Sequence, residues 1–148
     1  MKAPIWLLQQ AVLAMHAECI AAFGGADGVR DAGLLESALA RPQHLFRYEK
    51  ADLCRLAAAY GHGIAKNHPF LDGNKRTAFL ATTVFLARNG LTFTASPGHA
   101  AGFVLGVADG TLAEEAFAAW LRDHTQRRAK GPKKLARRAQ RGKAKPSE

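Results

Sequence analysis

The sequence predicts a compact all-α domain of about six helices followed by a basic tail, and three observations predict it. Apolar residues recur at helical spacing through most of residues 1–126. Prolines, glycines and capping residues divide those stretches into helix-length pieces. The alternating segment Leu91-Thr92-Phe93-Thr94 is too short to be more than an extended connection. With 148 residues and 48% hydrophobic content, the chain can build one core and is not wholly disordered.

Pro4 suits the opening of a first helix running to the Gly24-Gly25 pair, with Leu8, Val12, Met15, Cys19 and Phe23 as its buried stripe. Asp31 is a suitable N-cap for a short second helix through Ala40, ended by Pro42. Residues 41–50 have neither helical nor strand periodicity. Arg41, Gln43, Tyr48 and Glu49 there suit either a target-recognition flap or an ordered loop. A third helix is expected over Ala51–Asn67, where Gly61 and Gly63 weaken the pattern or mark a close helix crossing. A fourth follows over Asn74–Asn89, stopped by Gly90. Ser96-Pro97 opens a fifth that ends near Asp109-Gly110. Thr111-Leu112-Ala113-Glu114 has capping-box spacing and opens a sixth to about His124. Trp6 and Trp120 read as core residues.

The charge is concentrated at one end. Of 21 Lys and Arg, ten lie in residues 127–148 with one acid, which leaves 11 basic and 11 acidic residues in 1–126. The domain is therefore placed at 1–126 and a disordered tail at 127–148. The net +9 belongs to that tail, which as well as being a plain extension suits nonspecific nucleic-acid contact or attraction of an acidic partner. Cys19 and Cys54 have no ligand or disulfide spacing, consistent with a reducing, cytoplasmic setting. The N-terminus resembles a signal peptide only faintly, because Gln9 and Gln10 interrupt it, and no segment has the roughly 18 apolar residues of a membrane span.

The segment His68-Pro69-Phe70-Leu71-Asp72-Gly73-Asn74-Lys75-Arg76-Thr77 concentrates chemistry ahead of a helix. Backbone N–H groups of Gly73, Asn74 and Lys75 at that helix N-terminus suit a phosphate oxygen, and Gly73 permits close approach. Arg76 suits phosphate charge, Asp72 a Mg²⁺ bridging phosphates, and His68 the base that takes a proton from a hydroxyl. Together these parts suit transfer of a phosphorus group from a nucleotide. The same residues also suit an ordinary turn, helix cap and solvated first turn, and spacing alone leaves both readings open. Phe70 reads as an anchor for the loop, Thr77 as a first-turn helix residue, and His16 and His62 are unplaced.

The string His68 to Arg76 resembles the H-x-F-x-D-(A/G)-N-K-R motif of the death-on-curing (Doc) toxins, a branch of the Fic superfamily. Phe23-Gly24-Gly25, Gly28-Val29-Arg30-Asp31, Gly33 to Ala38, Arg41-Pro42-Gln43, Phe85-Leu86 and Asn89-Gly90 extend the resemblance over about 120 residues. It implies a Fic/Doc helical fold and a toxin of a toxin–antitoxin pair. That toxin would be a kinase placing the γ-phosphate of ATP, with Mg²⁺, on a Ser or Thr hydroxyl of elongation factor Tu, arresting translation. It also implies restraint by a small Phd-like antitoxin. In these roles His68 is the base, Asp72 holds Mg²⁺, and Gly73, Asn74, Lys75 and Arg76 hold phosphate.

Fic enzymes transfer AMP and read G-N-G-R-x-x-R at this place. Here Lys75 stands at the third position and Phe79 at the second arginine. Lys75 would crowd the phosphate cradle and reverse the nucleotide, which favours the kinase over the AMP transferase. Thr111 to Glu115 has the spacing of a self-inhibitory glutamate motif but is followed by Ala116, so control by a separate antitoxin fits better. A catalytically silent protein that binds antitoxin and nucleic acid is the alternative of another class. It has no evident need for His68, Asp72, Asn74 and Arg76 together.

Overall fold

The computed structural model describes residues 3–128, which form six helices and a two-stranded antiparallel sheet. The elements are α1 (Gln9–Phe23), α2 (Ala32–Glu49), α3 (Leu53–Asn67), α4 (Asn74–Arg88), β1 (Leu91–Phe93), α5 (Pro97–Asp109), α6 (Glu114–Asp123) and β2 (Thr125–Arg127). The all-α expectation holds, with the small sheet as an addition. No helix among the described residues is long and apolar enough to cross a membrane.

Helix α3 is the centre. It buries Cys54, Leu56 to Gly61 and Gly63 to Ala65, and packs on α2, α4, α5 and α6. The two glycines do mark close crossings. A Cβ at Gly63 would lie 3.2 Å from the Ala38 Cβ, and one at Gly61 would collide with Thr82 Oγ1 and reach 3.0 Å from Phe117. Alanine gains at most about 1 kcal/mol of helix propensity, whereas overpacking costs about 1–3 kcal/mol. Gly61→Ala is therefore expected to destabilise by about 2 kcal/mol, measured by urea unfolding. A stabilised variant would show that α4 and α6 can withdraw.

Several boundaries differ from expectation. Pro4 does not open α1. The Ile5 N–H donates to Asn89 Oδ1 at 2.8 Å, Asn89 Nδ2 donates to the Ile5 carbonyl at 3.1 Å, and the Leu7 N–H reaches the Tyr60 hydroxyl at 3.1 Å. These bonds hold residues 5–7 across α3 and α4, so the helix begins at Gln9. Its buried stripe is Val12, His16 and Cys19, while Leu8 and Phe23 are exposed and Met15 is half-buried.

Helix α2 does not stop at Pro42 but continues to Glu49, so the expected loop over 41–50 is helical except for Lys50, which caps it. Leu35, Ala38, Leu39, Pro42 and Leu45 form one buried face along it, and that packing outweighs the hydrogen bond a proline cannot donate. Arg41 is not part of a flap. Its guanidinium donates to both carboxylate oxygens of the buried Glu114, at 3.0 and 2.9 Å, and Arg55 also binds Glu114.

At the start of α6 the expected capping box is absent. Thr111 Oγ1 donates back to the Gly106 carbonyl at 3.1 Å, and Ala113 stands at the cap. Asp31 and Ser96 cap α2 and α5 as expected, accepting from the N–H groups of Leu34 and His99. Asp52, which the sequence places inside the third helix, caps α3 by accepting from the Arg55 N–H.

Leu91, Thr92 and Phe93 pair with Arg127, Gln126 and Thr125. Short strands three residues long carry too little periodicity to be read in a sequence. The Arg128 N–H extends the pairing to the Gly90 carbonyl at 2.8 Å. Trp120 is buried and Trp6 half-buried against Phe46 and Phe85. Arg127 and Arg128, expected in the disordered tail, are held in or beside the sheet, and the remainder of the predicted tail, residues 129–148, lies outside the described residues.

Candidate active site

Residues 68–73 join α3 to α4 on the side where the loop between α1 and α2 passes. His68 ends α3 in the left-handed region, at φ 49° and ψ 55°, which disfavours a side-chain-bearing residue by about 1 kcal/mol. Arg30 holds that conformation. Its Nε donates to the His68 carbonyl at 2.7 Å, its Nη2 to the Asn67 carbonyl at 2.9 Å, and its backbone N–H to the Pro69 carbonyl at 2.7 Å. The His68 side chain is exposed.

Phe70 is the anchor expected of it, 1% exposed. Asn74 closes the turn: its Oδ1 accepts the Phe70 N–H at 2.9 Å, and its Nδ2 donates to the Phe70 carbonyl at 3.0 Å. The buried Asn74 side chain is thus committed to the loop. Thr77 is a buried first-turn residue.

On its other side Phe70 faces Val29 in an antiparallel bridge. The flanking bonds are Arg30 N–H to the Pro69 carbonyl and Leu71 N–H to the Gly28 carbonyl, at 2.7 and 3.0 Å. That pattern turns the N–H and C=O of Val29 outward, and neither has a backbone partner among the described residues.

The Asp72 carboxylate accepts the Gly73 N–H on Oδ1 at 2.9 Å, while its Oδ2 lies 3.4 Å from the Ala26 N–H. A Cβ at Gly25, whose φ is 113°, would come within 2.7 Å of that oxygen, so the glycine pair does more than stop α1. Gly73, at φ 76°, stands at the N-cap of α4, and its N–H is turned to Asp72. The first-turn N–H groups of Asn74, Lys75 and Arg76 have no backbone partner among the described residues, which shifts the phosphate-ready groups one residue along the chain. The exposed Arg76 guanidinium sits 4.0 Å over the Phe23 ring, and Lys75 is exposed.

His68, Leu71, Asp72, Gly73, Asn74, Lys75 and Arg76 line one open cavity of about 300 Å³. Base, carboxylate, cations and N–H groups thus share one concavity. Sequence reading missed three supports of it: His16, Gly25 and Arg30. His16 was detectable as a lone polar residue between Val12 and Cys19 on an apolar stripe. Gly25 and Arg30 lie in a loop without periodicity, where the segments Phe23-Gly24-Gly25 and Gly28-Val29-Arg30-Asp31 carry the family resemblance but no sign of a role in the site.

Residues 6–86 match the family model described as the Fic/DOC family. A protein kinase doc of Escherichia phage P1 is 36% identical over 112 residues, covering 75% of this chain and 88% of that protein. A toxin Doc of Mycolicibacterium smegmatis is 47% identical over 76 residues, covering 50% of this chain and 58% of that protein.

Proposed function

Because this chain belongs to the Fic/Doc family and is a Doc-like toxin within it, we propose that it is a protein kinase. It transfers the γ-phosphate of ATP to a Ser or Thr hydroxyl of a translation factor, elongation factor Tu, and so arrests translation. The observation that carries this reading is the gathering of His68, Asp72, Lys75 and Arg76 in one cavity with three first-turn N–H groups that have no backbone partner among the described residues.

His68 takes the proton of the substrate hydroxyl as its oxygen attacks the γ-phosphorus. The bond from that phosphorus to the β–γ bridging oxygen breaks, and ADP departs with the electron pair. Arg76 and the N–H groups of Asn74 to Arg76 oppose the charge on the transferring group. Lys75, exposed and lining the cavity, would crowd the cradle and favour the γ-phosphate there. A lone carboxylate such as Asp72 fits Mg²⁺, which is held by one or two carboxylates together with substrate phosphates. When bound, Mg²⁺ would neutralise and orient those phosphates.

The outward edge of Val29 supports a protein substrate, because an extended segment can add to it as a strand beside the cavity. Val29→Pro removes the outward N–H. It is expected to raise KM for the protein substrate about tenfold with KM for ATP unchanged, by steady-state kinetics. Equal effects on both substrates would remove the edge from the account.

In the cell, this reading places the protein in the cytoplasm, with the catalytic domain running through β2 rather than ending at residue 126, and a small Phd-like antitoxin as its restraint. The basic residues of 127–148 would add salt-dependent contact to nucleic acid. The test is intact-mass analysis of elongation factor Tu after incubation with the protein, ATP and Mg²⁺. A gain of one phosphoryl group supports the kinase, a gain of AMP supports the Fic-type transferase, and no gain argues against elongation factor Tu as the substrate.

A further inference from the structure

We infer that His16 is a positioning residue of the phosphoryl-transfer site: from within α1 it fixes the turn that carries Asp72. The inference rests on the kinase reading above and concerns a residue outside the motif. His16 is 3% exposed, in the middle of the stripe by which α1 faces the rest of the fold. Its Nε2 lies 2.8 Å from the Asp72 backbone carbonyl. A carbonyl only accepts, so Nε2 carries the proton. The imidazole lies flat on the Phe70 ring, with centroids 3.9 Å apart and planes 7° from parallel. Phe70 is itself held by Asn74, so the ring is fixed in two directions.

The bond acts where the backbone must not move. The Asp72 carbonyl is the one that an N–H four residues later would take if α4 began a residue earlier. Binding it to His16 leaves the Arg76 N–H free and starts the helix at Asn74. The same bond sets the peptide plane between Asp72 and Gly73, whose N–H is turned onto the Asp72 carboxylate. His16 also limits the space above the turn. A Cβ at Gly73 would meet Ile20 Cδ1 at 3.2 Å and His16 at 3.7 Å. Apolar burial of α1 explains none of this, because Val12 and Cys19 serve that purpose without a donor. The Nδ1 atom lies 3.8 Å from the exposed Asp27 carboxylate, beyond hydrogen-bond reach, so the contact to the turn runs through Nε2.

The test compares two full-length variants with the wild type. His16→Phe keeps a flat ring on Phe70 and removes the donor, and His16→Gln returns an amide N–H near the place of Nε2. Residues that orient a metal-holding carboxylate change activity or metal affinity by about 10–100-fold when lost. In the Phe variant, kcat is expected to fall about thirtyfold and the Mg²⁺ concentration for half-activation to rise several-fold, with KM for the protein substrate nearly constant. The Gln variant is expected to recover most of both.

Hydrogen exchange of the Gly73 amide, which does not depend on catalysis, is followed in parallel. Faster exchange in the Phe variant and wild-type exchange in the Gln variant supports the positioning role even if the wild type transfers no phosphate. The kinase reading alone would then fail. An active wild type whose Phe variant matches it in kcat, Mg²⁺ dependence and exchange overturns the inference. Equal losses in both variants overturn it too, because packing rather than the donor would then be responsible.

Discussion

Replacing His68 with alanine is expected to lower kcat for phosphoryl transfer about a thousandfold, the range lost with a positioned general base. The loss should fall on kcat rather than on nucleotide binding. The first-turn N–H groups and the Lys75 and Arg76 side chains do not depend on the imidazole for their place. The fold should survive. The His68 side chain is exposed, and its left-handed backbone is held by Arg30 through carbonyls that alanine also has. The melting temperature is therefore expected to move by no more than about 2 °C. Activity above about a tenth of wild type would assign the proton to another group.

Glu114→Ala has the largest expected effect on stability. Glu114 is 8% exposed and receives Arg41 from α2 and Arg55 from α3, with His62 Nδ1 3.6 Å away. Exchange of an entire buried ion pair for apolar residues is often neutral. Deletion of one partner, however, leaves the other charges uncompensated and costs about 3–5 kcal/mol. Arg41 is half exposed and recovers some hydration, which places this variant near about 3 kcal/mol, or roughly 10 °C in melting temperature. A loss under about 1 kcal/mol would mean that desolvation cancels the network.

The same network sets the response to acid. Burial by itself would raise the Glu114 carboxyl, but hydrogen bonds from Arg41 and Arg55 outweigh it and hold it below the ordinary 4.5. Burial holds the His62 imidazole below the ordinary 6.5, with Glu114 opposing in part. At both groups the unfolded chain takes up a proton more readily than the folded one, so stability is lost as the pH is lowered. Thermal stability is expected to fall from about pH 6.5 downward through His62, and further below about 4.5 through Glu114. The second phase should disappear in Glu114→Ala.

The motif was legible because His68, Asp72, Gly73, Asn74 and Arg76 are adjacent in sequence, so local chemistry and local structure coincide. The starts of α2 and α5 and the end of α4 were legible for a similar reason, since Asp31, Ser96 and Gly90 act within a few residues of themselves. Expectations failed where distant contacts decide the matter. Pro42 stays in a helix because the α2 face it shares with Leu35, Ala38 and Leu45 is buried. Residues 5–7 are held out of α1 by Asn89 and Tyr60, more than fifty residues away. Thr125 to Arg127 become a strand only beside Leu91 to Phe93. The supports of the site have the same character: His16 and Arg30 act on carbonyls about forty to sixty residues along the chain.

The central claim is that this cavity moves the γ-phosphate of ATP to a protein hydroxyl. Its most direct test incubates the purified protein with Mg²⁺ and elongation factor Tu, in parallel with ATP labelled at the α-phosphorus and at the γ-phosphorus. A His68→Ala control accompanies each. The account predicts label on the protein substrate from the γ-position alone, absent in the control. Label from the α-position would contradict it, making the site an AMP transferase despite Lys75 and Phe79.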